Sequence, residues 1–218
     1  MNDTQHPLPD INTIAERILS IGTTPKTPGD ERRLSLVQAA YHLIAEGGFE
    51  GLRTRNVAER AGVNIATLHY YFPSKEDLIR GVVEYLLQQF MTAYLPGSPF
   101  EMKTPLEQLR GELAELQYLV QEKPAMFIIL DELILRSLHD PVIHEMIKWL
   151  DEGWHTYLEQ VIRNGIEQGQ FRADLDPGYA ATWLIMLIKG TTLHYMSNPA
   201  TIDFDRLKTD IERWFTGQ

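Results

Sequence analysis

Two groups of residues have side-chain types and spacing suited to chemistry. The first is His144-Glu145-Met146-Ile147-Lys148, which begins like a zinc-protease motif but puts Lys148 where the second histidine must stand. His144 and His155, with Asp151 four residues before His155, also have the types of a two-histidine, one-carboxylate set. Solvated or core histidines are the plainer reading of both. There is no phosphate loop, nucleophile elbow or dinucleotide fingerprint. We therefore expect no catalytic residue, no metal and no cofactor. The second group lies in TRNVAERAGVNIATLHYYFPSKEDL, from Thr54 to Leu78. Its Arg55 carries a guanidinium, a planar fork of donors that can meet two acceptors at once.

The elements that must position Arg55 are two short helical patterns joined at Ala61-Gly62-Val63-Asn64. Val57, Ala58 and Ala61 make one apolar face, which Leu68 and Phe72 continue. Gly62 stands where a helix ends in a left-handed residue. Asn64 follows as a cap that accepts a backbone N–H from the next first turn. Ile65, Ala66, His69 and Tyr70 then face outward. Two helices joined by a glycine turn, the second one short, are the outline of a helix-turn-helix.

Charge first looks hostile to nucleic acid, because the chain carries a formal −10 while phosphate contacts supply most nucleic-acid affinity. The distribution removes the objection. From Asp30 to Arg80 seven basic residues (Arg32, Arg33, Arg53, Arg55, Arg60, Lys75, Arg80) balance seven acidic ones (Asp30, Glu31, Glu46, Glu50, Glu59, Glu76, Asp77), so the whole excess lies elsewhere. The 218 residues contain no cysteine, which excludes disulfides, thiolate nucleophiles and cysteine zinc sites. No apolar run reaches the ~20 residues of a membrane span. The beginning, MNDTQHPLPD, lacks the basic and apolar parts of a signal peptide. A soluble cytoplasmic protein that does not enter membranes is expected.

Residues 1–29 read as an extension: an amphipathic helix over 10–21 (Ile11, Ile14, Ile18, Leu19), then a breaker-rich linker. Asp30 can cap a helix reaching about Glu46, which Gly47-Gly48 stops before Phe49 returns to the core. Ser74 with Asp77 makes a capping-box-like start to a fourth helix. Leu95-Pro96-Gly97-Ser98-Pro99 is the expected boundary. Beyond it Thr104-Pro105-Leu106-Glu107, Pro124, Asp140-Pro141, Asp176-Pro177 and Asp203 each open a helix. No strand-like alternation and no repeat appear. The expected fold class is all-α: a three-helix helix-turn-helix domain (30–80) joined by a fourth helix to a helical domain (81–218), with the extension over 1–29.

The pattern Leu36-Val37-x-Ala39-Ala40-x-x-Leu43-Ile44, Gly48-Phe49, Val57-Ala58-x-x-Ala61-Gly62-Val63-Asn64-x-Ala66-Thr67-Leu68-His69-Tyr70-Tyr71-Phe72-x-Ser74-Lys75-Glu76 resembles the DNA-binding domain of TetR-family transcriptional regulators over the window 33–80. A weaker likeness runs through Gly165-x-x-x-Gly169-x-Phe171-Arg172-x-Asp174-x-Asp176-Pro177. The chain departs from the family at Leu52 and Arg53, where threonines are usual. It departs again at Asn64, Ala66 and His69, where serine, glycine and tyrosine are usual.

The resemblance implies a homodimeric repressor that binds double-stranded DNA at a palindromic operator and is released by a small-molecule effector. It makes Arg55, Ile65, Ala66 and Tyr70 base-contact candidates, with Thr54, Thr67, His69, Tyr71 and Lys75 on phosphates. It implies an effector pocket, for which Tyr118, Met126, Phe127, Leu130, Trp149, Trp154, Met186 and His194 are candidates. Those side chains suit an apolar or aromatic effector. It implies a two-fold interface through the last two long helices, with Tyr179, Trp183, Leu187, Leu207, Ile211 and Trp214 as candidates. The alternative is a small-molecule-binding helical protein whose head has lost DNA, kept open by Leu52, Ala66 and His69.

Overall fold

The computed structural model describes residues 27–92 and 104–218. Every regular element among them is helical: α1 (Pro28–Gly51), α2 (Thr54–Arg60), α3 (Ile65–Tyr71), α4 (Lys75–Thr92), α5 (Pro105–Glu122), α6 (Pro124–Ser137), α7 (Pro141–Glu167), α8 (Pro177–Ser197) and α9 (Phe204–Thr216), with one 3-10 turn at Pro199–Thr201. The fold is all-α. The helix expected over 10–21 and the boundary expected at 95–99 lie outside the described residues. The described chain forms two compact units: 27–92 with 128–149, and 104–127 with 150–218. No described helix is long and apolar enough to cross a membrane.

In the first unit α1 begins three residues earlier than the sequence suggests. Thr27 is its cap, accepting from Asp30 N at 3.1 Å, and the Asp30 carboxylate accepts in return from Thr27 N at 3.1 Å. Pro28 opens the helix with its φ already helical. The double glycine breaks α1 as expected: Gly47 has φ −145° and Gly48 has φ 65°. Phe49 then turns back into the core, 9% exposed. The core is built from Leu36, Ala40 and Ile44 of α1, Val57 and Ala58 of α2, Leu68 of α3, and Leu78, Ile79 and Val82 of α4.

Phe72 is the keystone of that packing, 1% exposed just after α3. Burying such a ring contributes ~1.5–3 kcal/mol. Gly81 lets α4 approach it: a Cβ there would lie 3.0 Å from Phe72 Cε1 and 3.2 Å from Val37 Cγ2. Over the ring sits the Arg33 guanidinium, 5.0 Å from its centroid, which also donates to buried Glu84 at 3.2 Å. α2 packs on α1, α3 on α2, and α4 on α1.

In the second unit the caps stand where the sequence puts them. Thr104 accepts from Glu107 N at 3.3 Å while Glu107 accepts from Thr104 N at 2.9 Å. Asp176 accepts from Tyr179 N and Asp203 from Arg206 N, at 2.7 and 3.0 Å. Past the end of α7, Gly169 adopts φ 68°. The turn folds back so that Gln170 N and Phe171 N both donate to Gly165 O, at 2.8 and 3.0 Å. Arg172 N then donates to Phe215 O at 2.9 Å, fastening this turn to the end of α9. α5 packs on α8 and α9, and Trp183 stacks on Trp214 with centroids 4.2 Å apart.

Candidate nucleic-acid interface

The turn between α2 and α3 is set by Gly62 at φ 67° and by Asn64, whose side chain accepts from Thr67 N at 2.8 Å. With that cap fixed, Leu68 points inward at 0% exposure, while Ile65 is 42% and Tyr70 80% exposed. Ala66 and His69 are exposed beside them. The outward face expected of α3 is therefore present in its geometry.

Other side chains in this region have partners within the protein. The Thr67 hydroxyl donates to Asn64 Oδ1 at 3.0 Å, so it faces any ligand as an acceptor. Tyr71 is half-buried, its ring edge-on to Tyr70 at 5.1 Å. Its hydroxyl lies 3.6 Å from where a Cβ on Gly29 would stand. Lys75 donates to Phe49 O at 3.3 Å, which steadies the start of α4 against the end of α1 and leaves its other two protons to aim elsewhere. Thr54 is half-buried in the first turn of α2.

The arginines divide by whether the protein already neutralises them. Arg60 grips Glu46 with two hydrogen bonds of 2.9 Å, and these hold the Glu46 carboxyl below its ordinary range. Arg33 is held by Glu84, and Arg80 by Asp77 at 3.4 Å. Arg136 lies over the Phe49 ring at 5.4 Å and reaches Glu76 at 3.7 Å. Arg32, Arg53 and Arg55 are exposed, with no protein partner among the described residues. Two of the three flank the start of α2, whose first turn carries no acidic residue.

Residues 36–82 match the family model described as bacterial regulatory proteins, tetR family. Residues 105–217, more than half of the chain, match that of the BetI-type transcriptional repressor, C-terminal. The chain belongs to the TetR family. Among its relatives, the HTH-type transcriptional regulator PksA of Bacillus subtilis is 24% identical over 179 residues, covering 82% of this chain and 85% of that protein. The HTH-type transcriptional repressor KstR2 of Mycobacterium tuberculosis is 28% identical over 154 residues, 67% of this chain and 72% of that one. A TetR transcription regulator from Haloarcula marismortui shares the fold, with a TM-score of 0.76 at 24% identity over 86% of this chain and 98% of its own. A regulator from Saccharomonospora viridis, solved in complex with choline, superposes with a TM-score of 0.70 at 26% identity, covering 84% and 95% of the two chains. As a TetR-family member, the protein is a DNA-binding transcriptional regulator.

The residues singled out for an effector in this TetR-family regulator fall in both units. Met126 and Phe127 are buried in the second unit, where Trp154 is half-buried with its indole N–H enclosed and without a partner among the described residues. Tyr118 is 48% exposed with Lys123 Nζ 5.8 Å from its ring centroid. His194 is exposed, its Nε2 2.9 Å from Thr201 Oγ1. Leu130 and Trp149 are half-buried and group with the first unit. Met186 stands out on α8 at 55% exposure, in a stripe with Tyr179 at 65% and Leu193 at 60%.

The residues singled out for a two-fold contact also separate. Tyr179 is open, and Trp183 and Trp214 cover one another. Leu187 and Leu207 are half-buried, whereas Ile211 is 2% exposed and spent on the chain's own core. Sequence reasoning passed over Leu193 and Arg53. Seven-residue spacing from Tyr179 through Met186 would have found the first. An arginine at a helix-capping position would have flagged the second, because that position favours small acceptors and negative charge.

Proposed function

We propose that this TetR-family regulator is a homodimeric repressor that binds a palindromic operator and leaves it when a small effector enters the C-terminal unit. The observation that carries the DNA-binding part is the outward face of α3, together with the exposed Arg55 of α2, a guanidinium with no protein partner among the described residues. In this reading Arg55, Ile65, Ala66 and Tyr70 meet base edges, and Thr54, Thr67, His69, Tyr71 and Lys75 face phosphates. Arg53 joins the phosphate group, its charge otherwise poorly placed at the positive end of α2.

The dimer is supported by the exposed stripe Tyr179, Met186 and Leu193 on α8, spaced as one side of a helix that packs on a partner helix. Two-fold pairing would place two α3 helices against half-sites repeated by symmetry. An apolar or aromatic effector is supported by buried Met126 and Phe127 and by the half-buried Trp154. Such a compound releases DNA only if it binds more tightly to the geometry that cannot span the operator.

The deciding experiment is a mobility-shift and footprint assay against DNA flanking the protein's own coding region. A symmetric footprint bound by a dimer supports the proposal. A dimer that retards no fragment, while a small molecule raises its melting temperature, would establish instead a ligand-binding protein whose head has lost DNA.

A further inference from the structure

α3 carries little of the chemistry that tells bases apart. α3 reads Ile-Ala-Thr-Leu-His-Tyr-Tyr, with no arginine, lysine, asparagine, glutamine or carboxylate anywhere along it. In the major groove, guanine is told apart by a paired donor and adenine by an amide that both donates and accepts. Cytosine is told apart by an acceptor for its amino group. α3 presents no two-pronged group for either purine, and its acceptors for cytosine are single atoms such as the Thr67 oxygen. Thr67 has its proton committed to Asn64, Tyr70 has one hydroxyl, and the two ring nitrogens of His69 point apart and cannot pair with one base edge together.

The first turn of a reading helix enters the groove deepest, and here it offers Ile65 and Ala66. Ile65 is 42% exposed in the free protein, and Ala66 stands open beside it. An apolar pair pushed among base edges loses the water around it and gains only where the groove is apolar too. The one apolar group that a major-groove edge carries is the C5 methyl of thymine.

We infer that the operator half-site sets thymine methyl groups against Ile65 and Ala66, so that this part of the sequence is read by methyl contact and not by hydrogen-bond pattern. This inference rests on the DNA-binding reading above. Arg53 and Arg55 at the start of α2, exposed and with no protein partner among the described residues, complement it: they supply attraction to phosphate and one guanine contact, which an apolar helix cannot. Sequence preference then divides between two elements, a guanine pair set by α2 and thymine methyls set by α3.

The test leaves the protein intact and changes the DNA. Fragments that the wild-type protein retards, from its own flanking DNA or selected from a random pool, are remade with single thymines replaced by deoxyuridine. At one or two thymines in each half-site the affinity should fall about fourfold, the transfer worth of one methyl group. Ile65→Ala should bind the thymine and uracil forms at one such position with nearly equal affinity, and it should stay folded because that side chain is exposed. Uracil that is neutral at every position, with 7-deazapurines weakening binding instead, overturns the inference and leaves the DNA-binding reading standing. Failure of the wild-type protein to retard any fragment removes that reading and the inference with it.

Discussion

Arg60 and Glu46 meet as a fork on a fork, each guanidinium nitrogen 2.9 Å from its own carboxylate oxygen, joining α2 to α1. This pair withdraws one arginine from the head's free positive charge. It also has a pH signature. The Arg60 hydrogen bonds are the main reason that the Glu46 carboxyl titrates below its ordinary value of 4.5, with His42 adding to the effect. A carboxyl lowered by folding contributes stability above the unfolded value and loses it as pH falls through the folded one. Glu46→Gln should therefore melt below the wild type at neutral pH, and the gap should close in acid. Both groups are well exposed, at 38% and 58%, so the neutral gap should be small and shrink with salt. Thermal melts of both proteins across that range, at low and high salt, check it. An undiminished gap in acid would mean that Glu46 acts through packing and not through charge.

With Arg60 spoken for, Arg53 and Arg55 should behave differently from one another. Arg55→Ala should relax base preference at one operator position by ~1–3 kcal/mol. Arg53→Ala should weaken all sequences alike and lower the slope of log affinity against log salt by about one. Lys75→Ala should act like Arg53→Ala on DNA. It should also lower the melting temperature, because its ammonium holds Phe49 O. Salt-titrated binding isotherms on matched and single-mismatch operators separate the three. Uniform loss in Arg55→Ala, with preference unchanged, would move that residue onto a phosphate.

Association should fail when charge enters the exposed stripe of α8. Met186 and Leu193 are 55% and 60% exposed, so Met186→Glu with Leu193→Glu removes nothing from the chain's own core. In a two-fold pair it would set like charges close together across the contact. Sedimentation should report a folded monomer with unchanged helicity and lost operator binding, since one head makes half of the phosphate contacts. A dimer that survives both charges would place the contact elsewhere.

How much of this could be read from sequence depended on whether a signal was local. Gly62, Asn64, Gly169, Asp176 and Asp203 act on backbone within four residues, and each stands where its chemistry requires. Thr27 and Asp30 show the limit of local reading. Either can cap, and only the structure assigns Thr27 the cap and Asp30 the third-residue role usually filled by glutamate. Long-range choices left no such trace. Ile211 and Met186 are both apolar on amphipathic or apolar helices, and one is buried by the chain itself while the other is left open. The same holds for charge: nothing local tells that Arg60 finds Glu46 fourteen residues away while Arg53 finds no partner among the described residues.

The turn after α7 gives the sharpest stability prediction. Phe171 lies so close over Gly165 that a Cβ there would fall 2.1 Å from its ring. The same turn sends two backbone N–H groups to Gly165 O and a third from Arg172 to Phe215 O. Alanine at 165 must therefore displace the ring, which is 4% exposed and packed on Phe215 with centroids 5.4 Å apart. Overpacking of this kind costs ~1–3 kcal/mol, whereas Gly→Ala within a helix would otherwise be favourable by ~1 kcal/mol. Gly165→Ala should unfold at lower denaturant. The double variant Gly165→Ala with Phe171→Leu should recover part of the loss, since a smaller side chain leaves room for the methyl group. Urea titrations of the two variants decide it. A stabilised single variant would show that Phe171 moves freely and that the glycine serves the backbone turn alone.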